Sequence, residues 1–382
     1  MTQDIRDFVT PSCELLALGE PTHQEPAFGY VRNALLPRLA ELGFRSIALE
    51  TDRIAALAVD DYVRGGAGSL DTVLREGFTH DFGDLDHNRR LVAWMRAYNR
   101  TRPPAERLAF HGFDAPTENT TAPSPRRYLE HARDYLGLDL DIAALAGADE
   151  RWDQPEAILD AAASIGDTAE ADRLRVIADD LLNLLHQRAP ERIAATSRDA
   201  WYRTRTHLTA GLGLLRYHRQ ASQPLEPSAR ITGLLAVRDT LMARNLLEIR
   251  EIEARRGPTL VFAHNLHLQR SASNWSSAEL TADWSCAGAI LGPLLGEHCT
   301  VIAGSLGSSP ALGLGEPAPG THEFLLQDRS APWHLTLAAA VPPGRTRTDT
   351  IPRQGYFPLE PATLTAVDAV LHITDPAAVP AG

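Results

Sequence analysis

Lysine is missing from all 382 residues, so the 37 basic side chains are arginines throughout. That excludes a Schiff-base lysine, a pyridoxal phosphate anchor and the lysine of a phosphate-binding loop. Cysteine is nearly as scarce. Cys13, Cys286 and Cys299 show no CxxC spacing and read as reduced core residues. Positive charge is in deficit, with 37 basic against 49 acidic residues and a net charge of -12. Such a surface repels phosphate backbones and anionic lipid, so neither nucleic acid nor a membrane is expected as a partner. No stretch approaches the roughly 18 to 20 apolar residues that span a bilayer. The start, "MTQDIRDFVT", carries acidic residues where a signal peptide needs a basic patch. The expectation is a soluble, cytoplasmic protein.

What is present is apolar content, at 44%, enough to fill the core of one large domain or two ordinary ones. Abundant Ala, Gly, Pro and Arg suggest a GC-rich genome. Over the first 115 residues short apolar runs alternate with longer amphipathic stretches. "CELLALG" (13–19), "RSIALE" (45–50) and "RLAFHGFD" (107–114) read as buried strands. "PAFGYVRNALLPRLAELGF" (26–44), a helix opening at Thr51 or Asp52, and "NRRLVAWMRAYNR" (88–100) read as helices between them. From about 126 to 222 the alternation gives way to Leu, Ala, Arg and Asp at helical spacing, bounded by "APTENTTAPSP" and "ASQPLEPSAR". The α/β pattern then resumes with a helix from "RDTLMARNLL", a strand at "TLVFAHN" (259–265), a helix near 284–296 and a strand at "CTVIAGS" (299–305). Beyond these, "HEFLLQD", "WHLTLAAA" and "AVDAVLHIT" are candidate strands. The fold class expected is α/β, a three-layer core around a mainly parallel β-sheet, with residues 1–120 and 229–382 forming the core and 121–228 an all-helical insertion or lid.

Four strands end on polar, mostly titratable groups: Glu20 and His23, Glu50 and Arg53, His111 and Asp114, His264 and His267. Any one of these is unremarkable, because loops are polar. Four together place imidazoles and carboxylates at one rim, where open parallel sheets bind ligands. A histidine titrating near neutrality is the natural base for water, and a carboxylate on its other ring nitrogen fixes the tautomer and stabilises the imidazolium. Glu20 or Glu50 could do this for His23, with Arg32, Arg53 and Arg238 as electrostatic stabilisers. "HNLH" spaces two histidines outside an HExxH helix, and no further motif supports a zinc cage. "AGSLGS" lacks the glycine two before Ser305 that a nucleophile elbow needs. No metal and no cofactor is expected.

The ordered set "GEPTHQ" (19–24), "ALE" (48–50), "FTHDFGDLDHNRRLVAWMRAYN", "FHGFDA" (110–115), "VRDTLMARNL" (237–246), "FAHNLHLQR" (262–270) and "DAVLHI", running from about 13 to 373, resembles the erythromycin esterase family. The resemblance implies an α/β core with a helical insertion and a hydrolase that opens macrolide lactones with histidine-activated water. Carried over, His23 is the base, oriented by a carboxylate such as Glu20, while Glu50, His264 and His267 complete the catalytic floor. Arg32 stands at a position the family commonly keeps basic. Gln24 departs from the pattern, replacing the glycine of GExxHG with a bulky amide beside the base.

Within the insertion, His207 and His218 in "WYRTRTHLTAGLGLLRYHR" read as parts of an apolar-striped helix rather than ligand-binding groups. Asp114 is expected to cap the next loop or hold an active-site arginine. Arg238 and Asp239 are read as opening a helix, where an arginine is disfavoured unless it points at an anion. The first hypothesis is a hydrolase of an ester or lactone in a bulky natural product. The second keeps the site for ring closure or elimination in secondary-metabolite assembly. The third is a catalytically dead relative that binds a metabolite, a partner protein or a second copy of itself.

Overall fold

The computed structural model describes residues 4–277, 279–328 and 330–381. Its strands are β1 (Leu15–Glu20), β2 (Ser46–Asp52), β3 (Ala109–Asp114), β4 (Thr259–His264), β5 (Ser273–Ser276), β6 (Thr281–Trp284), β7 (Cys299–Leu306), β8 (Trp333–Leu337) and β9 (Ala369–Ile373). Seven of them form one sheet in the order β3-β2-β4-β1-β7-β9-β8. All neighbours in it are parallel except β8, which runs antiparallel to β9 at the edge. β5 and β6 make a separate antiparallel hairpin.

Every residue of β1, β2, β3, β4, β7 and β9 is buried, the state their unbroken apolar runs require when helices cover both faces. Alternation along β1 divides the core. Leu16 and Leu18 pack with Phe28, Leu35, Leu39, Leu91 and Met95 on one side, whereas Leu15 and Ala17 pack with Met242, Leu246, Ile249 and Leu291 on the other. Each fully buried leucine contributes about 1.5–3 kcal/mol before ordering entropy. The helices Arg126–Leu136, Ala169–Gln187 and Arg198–Ala221 surround a further core of Leu129, Trp152, Leu174, Leu181, Leu208 and Leu212. Thr168 and Ser197 fix two of their starts by accepting from the backbone N–H groups of Ala171 and Ala200. In this segment His207 stacks on His131 at 3.8 Å, and His218 is bonded to the Pro123 carbonyl. Among the described residues, no helix is long and apolar enough to cross a membrane.

Several local expectations fail for identifiable reasons. "HEFL" is a short helix, His322–Leu325, because Thr321 caps it through the Phe324 N–H. The helix expected from Arg238 begins at Pro227 and runs to Glu253; proline suits a first helical turn, where no N–H partner is needed. Arg238 and Asp239 therefore stand in mid-helix. Asp52 ends β2 rather than capping a helix, and the next helix is Ala56–Val63. The β5–β6 hairpin has no counterpart in the sequence reading.

Candidate active site

Parallel pairing carries the carboxyl ends of β2, β4 and β1 to one rim. The register sets Glu20 directly beside His264. Gly19 is required here, because a side chain at that position would collide with the Asn265 carboxamide. That carboxamide crosses β1 and bonds both backbone groups of Gly304 on β7, each at 2.8 Å. Asn265 thereby pins the "HNLH" turn, and the short helix Asn265–Leu268 swings His267 back over the strand ends. Gly19 thus leaves the backbone of β1 bare where the Asn265 side chain crosses it.

Glu20 bonds His23 Nδ1 at 2.7 Å, and His23 Nε2 lies 3.8 Å from Glu50 Oε1. The same Glu50 oxygen receives His267 Nε2 at 3.2 Å and Arg238 Nη2 at 3.3 Å; its other oxygen accepts the backbone N–H of His264 at 2.9 Å. Behind His267, Asp239 accepts from His267 Nδ1, Trp284 Nε1 and the Ala287 N–H at 2.7–2.9 Å. Asp114 grips Arg238 through Nε and Nη2 at 2.9 and 2.6 Å and also accepts the Ala115 N–H.

These contacts set the charges. Burial opposes ionisation of Glu50, yet His267, His23 and Arg238 hold it well below the usual carboxylate range. Burial likewise opposes charge on His267, but Asp239 and Glu50 raise it well above an ordinary histidine. His23 is raised, burial being outweighed by Glu50 and Glu20. His264 goes the other way, to about 3, through burial and the neighbouring His23 charge. Its Nδ1 accepts the Leu266 N–H at 3.2 Å, so the neutral ring carries its hydrogen on Nε2, a buried atom on the side of the Pro21 backbone. The three rings thus differ in charge: His23 is raised between two carboxylates, His267 is a buried cation and His264 is neutral.

A cavity of about 670 Å³ opens over this floor, within the ordinary range of ligand pockets, roughly 300–1,000 Å³. His23, Glu50, Arg238, His264 and His267 line it with Gln24 at the rim. Phe82, Ile231, Leu235, Trp275, Trp284 and Phe357 supply apolar walls. No described residue between 126 and 221 lines it; the walls come from the helix Pro227–Glu253, the hairpin and the loop around 355–357. Arg32 lies beneath, buried against Phe262 and lining a void of about 20 Å³ with Glu20 and His23. Burial lowers its pKa to about 9. Arg53 stands apart, its guanidinium on His111 Nδ1 and the Gly112 carbonyl, while His111 bonds Glu253 in the helix layer. Sequence reasoning missed His80, Phe82, Asp239 and the two tryptophans. Only the adjacency of Asp239 to Arg238, and the place of His80 and Phe82 within the quoted "FTHDFG", offered a signal. Among the described residues no group of three or more His, Cys, Asp or Glu side chains is placed to hold a metal ion.

The sequence profile of one family, erythromycin esterase, matches residues 39–374, a span that begins after the Glu20–His23 turn. No curated protein matches the chain. Three solved structures share the fold. A Bacillus cereus protein is 16% identical with a TM-score of 0.71, over 97% of this chain and 90% of its own. A histidine-to-asparagine mutant of erythromycin esterase EreC in its open conformation is 20% identical with a TM-score of 0.64, over 96% and 91%. A succinoglycan biosynthesis protein is 14% identical with a TM-score of 0.66, over 96% and 88%.

Proposed function

Because the chain belongs to the erythromycin esterase family, whose membership supports hydrolase-like chemistry, we propose that His23 activates water for attack on an ester or lactone of a bulky natural product. The observation that carries this reading is the 2.7 Å Glu20–His23 bond through Nδ1. It leaves Nε2 directed toward the cavity and Glu50. Neutral His23 takes a proton from water at Nε2, and Glu20 stabilises the imidazolium so formed. The oxygen adds to the substrate carbonyl, and the cationic His267 and Arg238 on the cavity floor stabilise the oxyanion. On collapse His23 returns its proton to the departing alkoxide, giving a carboxylic acid and an alcohol. A positioned general base contributes about 10²–10⁴ in rate and one oxyanion donor about 10²–10³. The described lining residues include no serine, cysteine or tyrosine, and the Thr22 hydroxyl is tied to the Gln354 carbonyl and the Gln24 N–H. Direct attack by water is therefore favoured over an acyl-enzyme. The apolar walls above a charged floor suit an ester carried on a large hydrocarbon-rich body.

Turnover of a panel of aryl esters and macrocyclic lactones in ¹⁸O-water tests the reading. One labelled oxygen should enter each acid product, and His23→Ala should abolish turnover. Product formed without label would instead indicate ring closure or elimination.

A further inference from the structure

His80 carries an unusual concentration of structure for a loop residue. Both His80 and Asp81 adopt left-handed backbone angles, with φ of 57° and 58°, although neither is glycine. Such a conformation costs roughly 1–2 kcal/mol per residue, so two in succession need compensation. Glu118 supplies part of it twice over: one oxygen accepts the His80 backbone N–H at 3.2 Å and the other meets His80 Nδ1 at 2.8 Å. His80 Nε2 meets Asp114 Oδ2 at 3.3 Å. The ring therefore sits between two carboxylates, mostly shielded from solvent, in the cavity wall. Two residues on, Phe82 stands 5.6 Å from His80 and 5.0 Å from His23, ring centre to ring centre. Asp114 also holds Arg238, whose guanidinium reaches Glu50.

We propose that His80 is a positioning residue for hydrolysis: it holds the 79–82 loop so that Phe82 covers His23, and it offsets the Asp114 charge so that Arg238 remains directed at Glu50. The proposal rests on His23 being the base. The charged groups facing His80 are Asp114 from the end of β3, Glu118 from the following loop and Arg238 from the helix Pro227–Glu253. Burial disfavours the imidazolium, but the two carboxylates outweigh burial and Arg238 and raise its pKa.

His80→Asn tests this, because asparagine tolerates left-handed angles and keeps the backbone while removing the cation. We expect kcat to fall about ten- to a hundredfold, as for a misplaced catalytic group, with KM nearly constant. NMR titration of the His23 ring should move upward by about half a unit, because a nearby cation has gone. Glu118→Gln, which removes an anion and loosens the same loop, should also lower kcat yet move the His23 titration downward. Opposite shifts distinguish electrostatic positioning from a merely structural role. A His23 titration unmoved in His80→Asn, or shifted in the same direction by both variants, overturns the proposal. If the unmodified protein hydrolyses no ester or lactone, the hydrolytic reading fails, and the titrations still decide the positioning role of His80.

Discussion

Replacing Glu20 with glutamine keeps the size and the hydrogen bond to His23 while deleting one charge. The charge matters only when His23 becomes an imidazolium, late in proton transfer. With 2.7 Å between Nδ1 and Oε1, Coulomb's law at an effective dielectric of about 20–40, suited to a pair whose histidine is one-third exposed, gives about 3–6 kcal/mol. Converted to rate, that is a loss of about 10²–10⁴ in kcat/KM. Stability should respond differently. Burial pushes the Glu20 carboxyl upward, with His23 offsetting only part. The folded state therefore holds this proton to higher pH than the unfolded chain, and the contribution to stability, full below the unfolded value near 4.5, is lost as pH rises through the folded value. At neutral pH the ionised Glu20 thus weakens the fold, and the amide removes that cost. The paired measurement is steady-state hydrolysis with thermal unfolding at pH 7. Glu20→Gln should lose at least a hundredfold in activity with a Tm equal to or above the parent's. Loss of less than threefold, or a fall in Tm that accounts for the lost activity, refutes the reasoning.

Other outcomes follow from the same contacts. Asp239→Ala strands the buried His267 cation and the Trp284 N–H together, and should cost about 3–5 kcal/mol in urea unfolding; an unchanged midpoint would contradict the network. The pH–rate profile should show an acidic limb above the ordinary histidine value of 6.5, because Glu50 and Glu20 raise His23 despite burial. Glu50→Gln should move that limb downward. Asp114, held down to about 2 by Arg238 and His80 against burial, stabilises the fold above its unfolded value of 3.8 and loses that contribution as pH falls through about 2. Urea midpoints between pH 4.5 and 2 should fall less steeply in Asp114→Asn than in the parent.

Most of the sheet and much of its rim could be read directly from the chain. A strand buried on both faces must be apolar throughout, so "LLALGE", "SIALE" and "TLVFAH" announce themselves, and the polar residues that end them fall at one rim. What the chain conceals is direction and backbone geometry. Arg53 follows a strand just as His23 does, yet it turns into the helix layer and meets His111. Asp239 looked like a residue at a helix start because "ASQPLEPSAR" read as loop and the helical pattern as resuming at "RDTLMARNLL", whereas the helix opens at Pro227. His80 is conspicuous only after folding, when two left-handed residues and two distant carboxylates converge on it. The aromatic walls depend on a hairpin whose strands are four residues each, too short for a periodic signal.

The placement of β1 bears on how the protein is made. It precedes every other strand of the sheet, yet its neighbours are β4 and β7, encoded some 240 to 290 positions later. The nascent chain must keep this apolar strand unmatched until residues 259–306 have been made, exposed to chaperones or to wrong pairings. A fragment ending before residue 258 would carry His23 on a strand with no partner on either side.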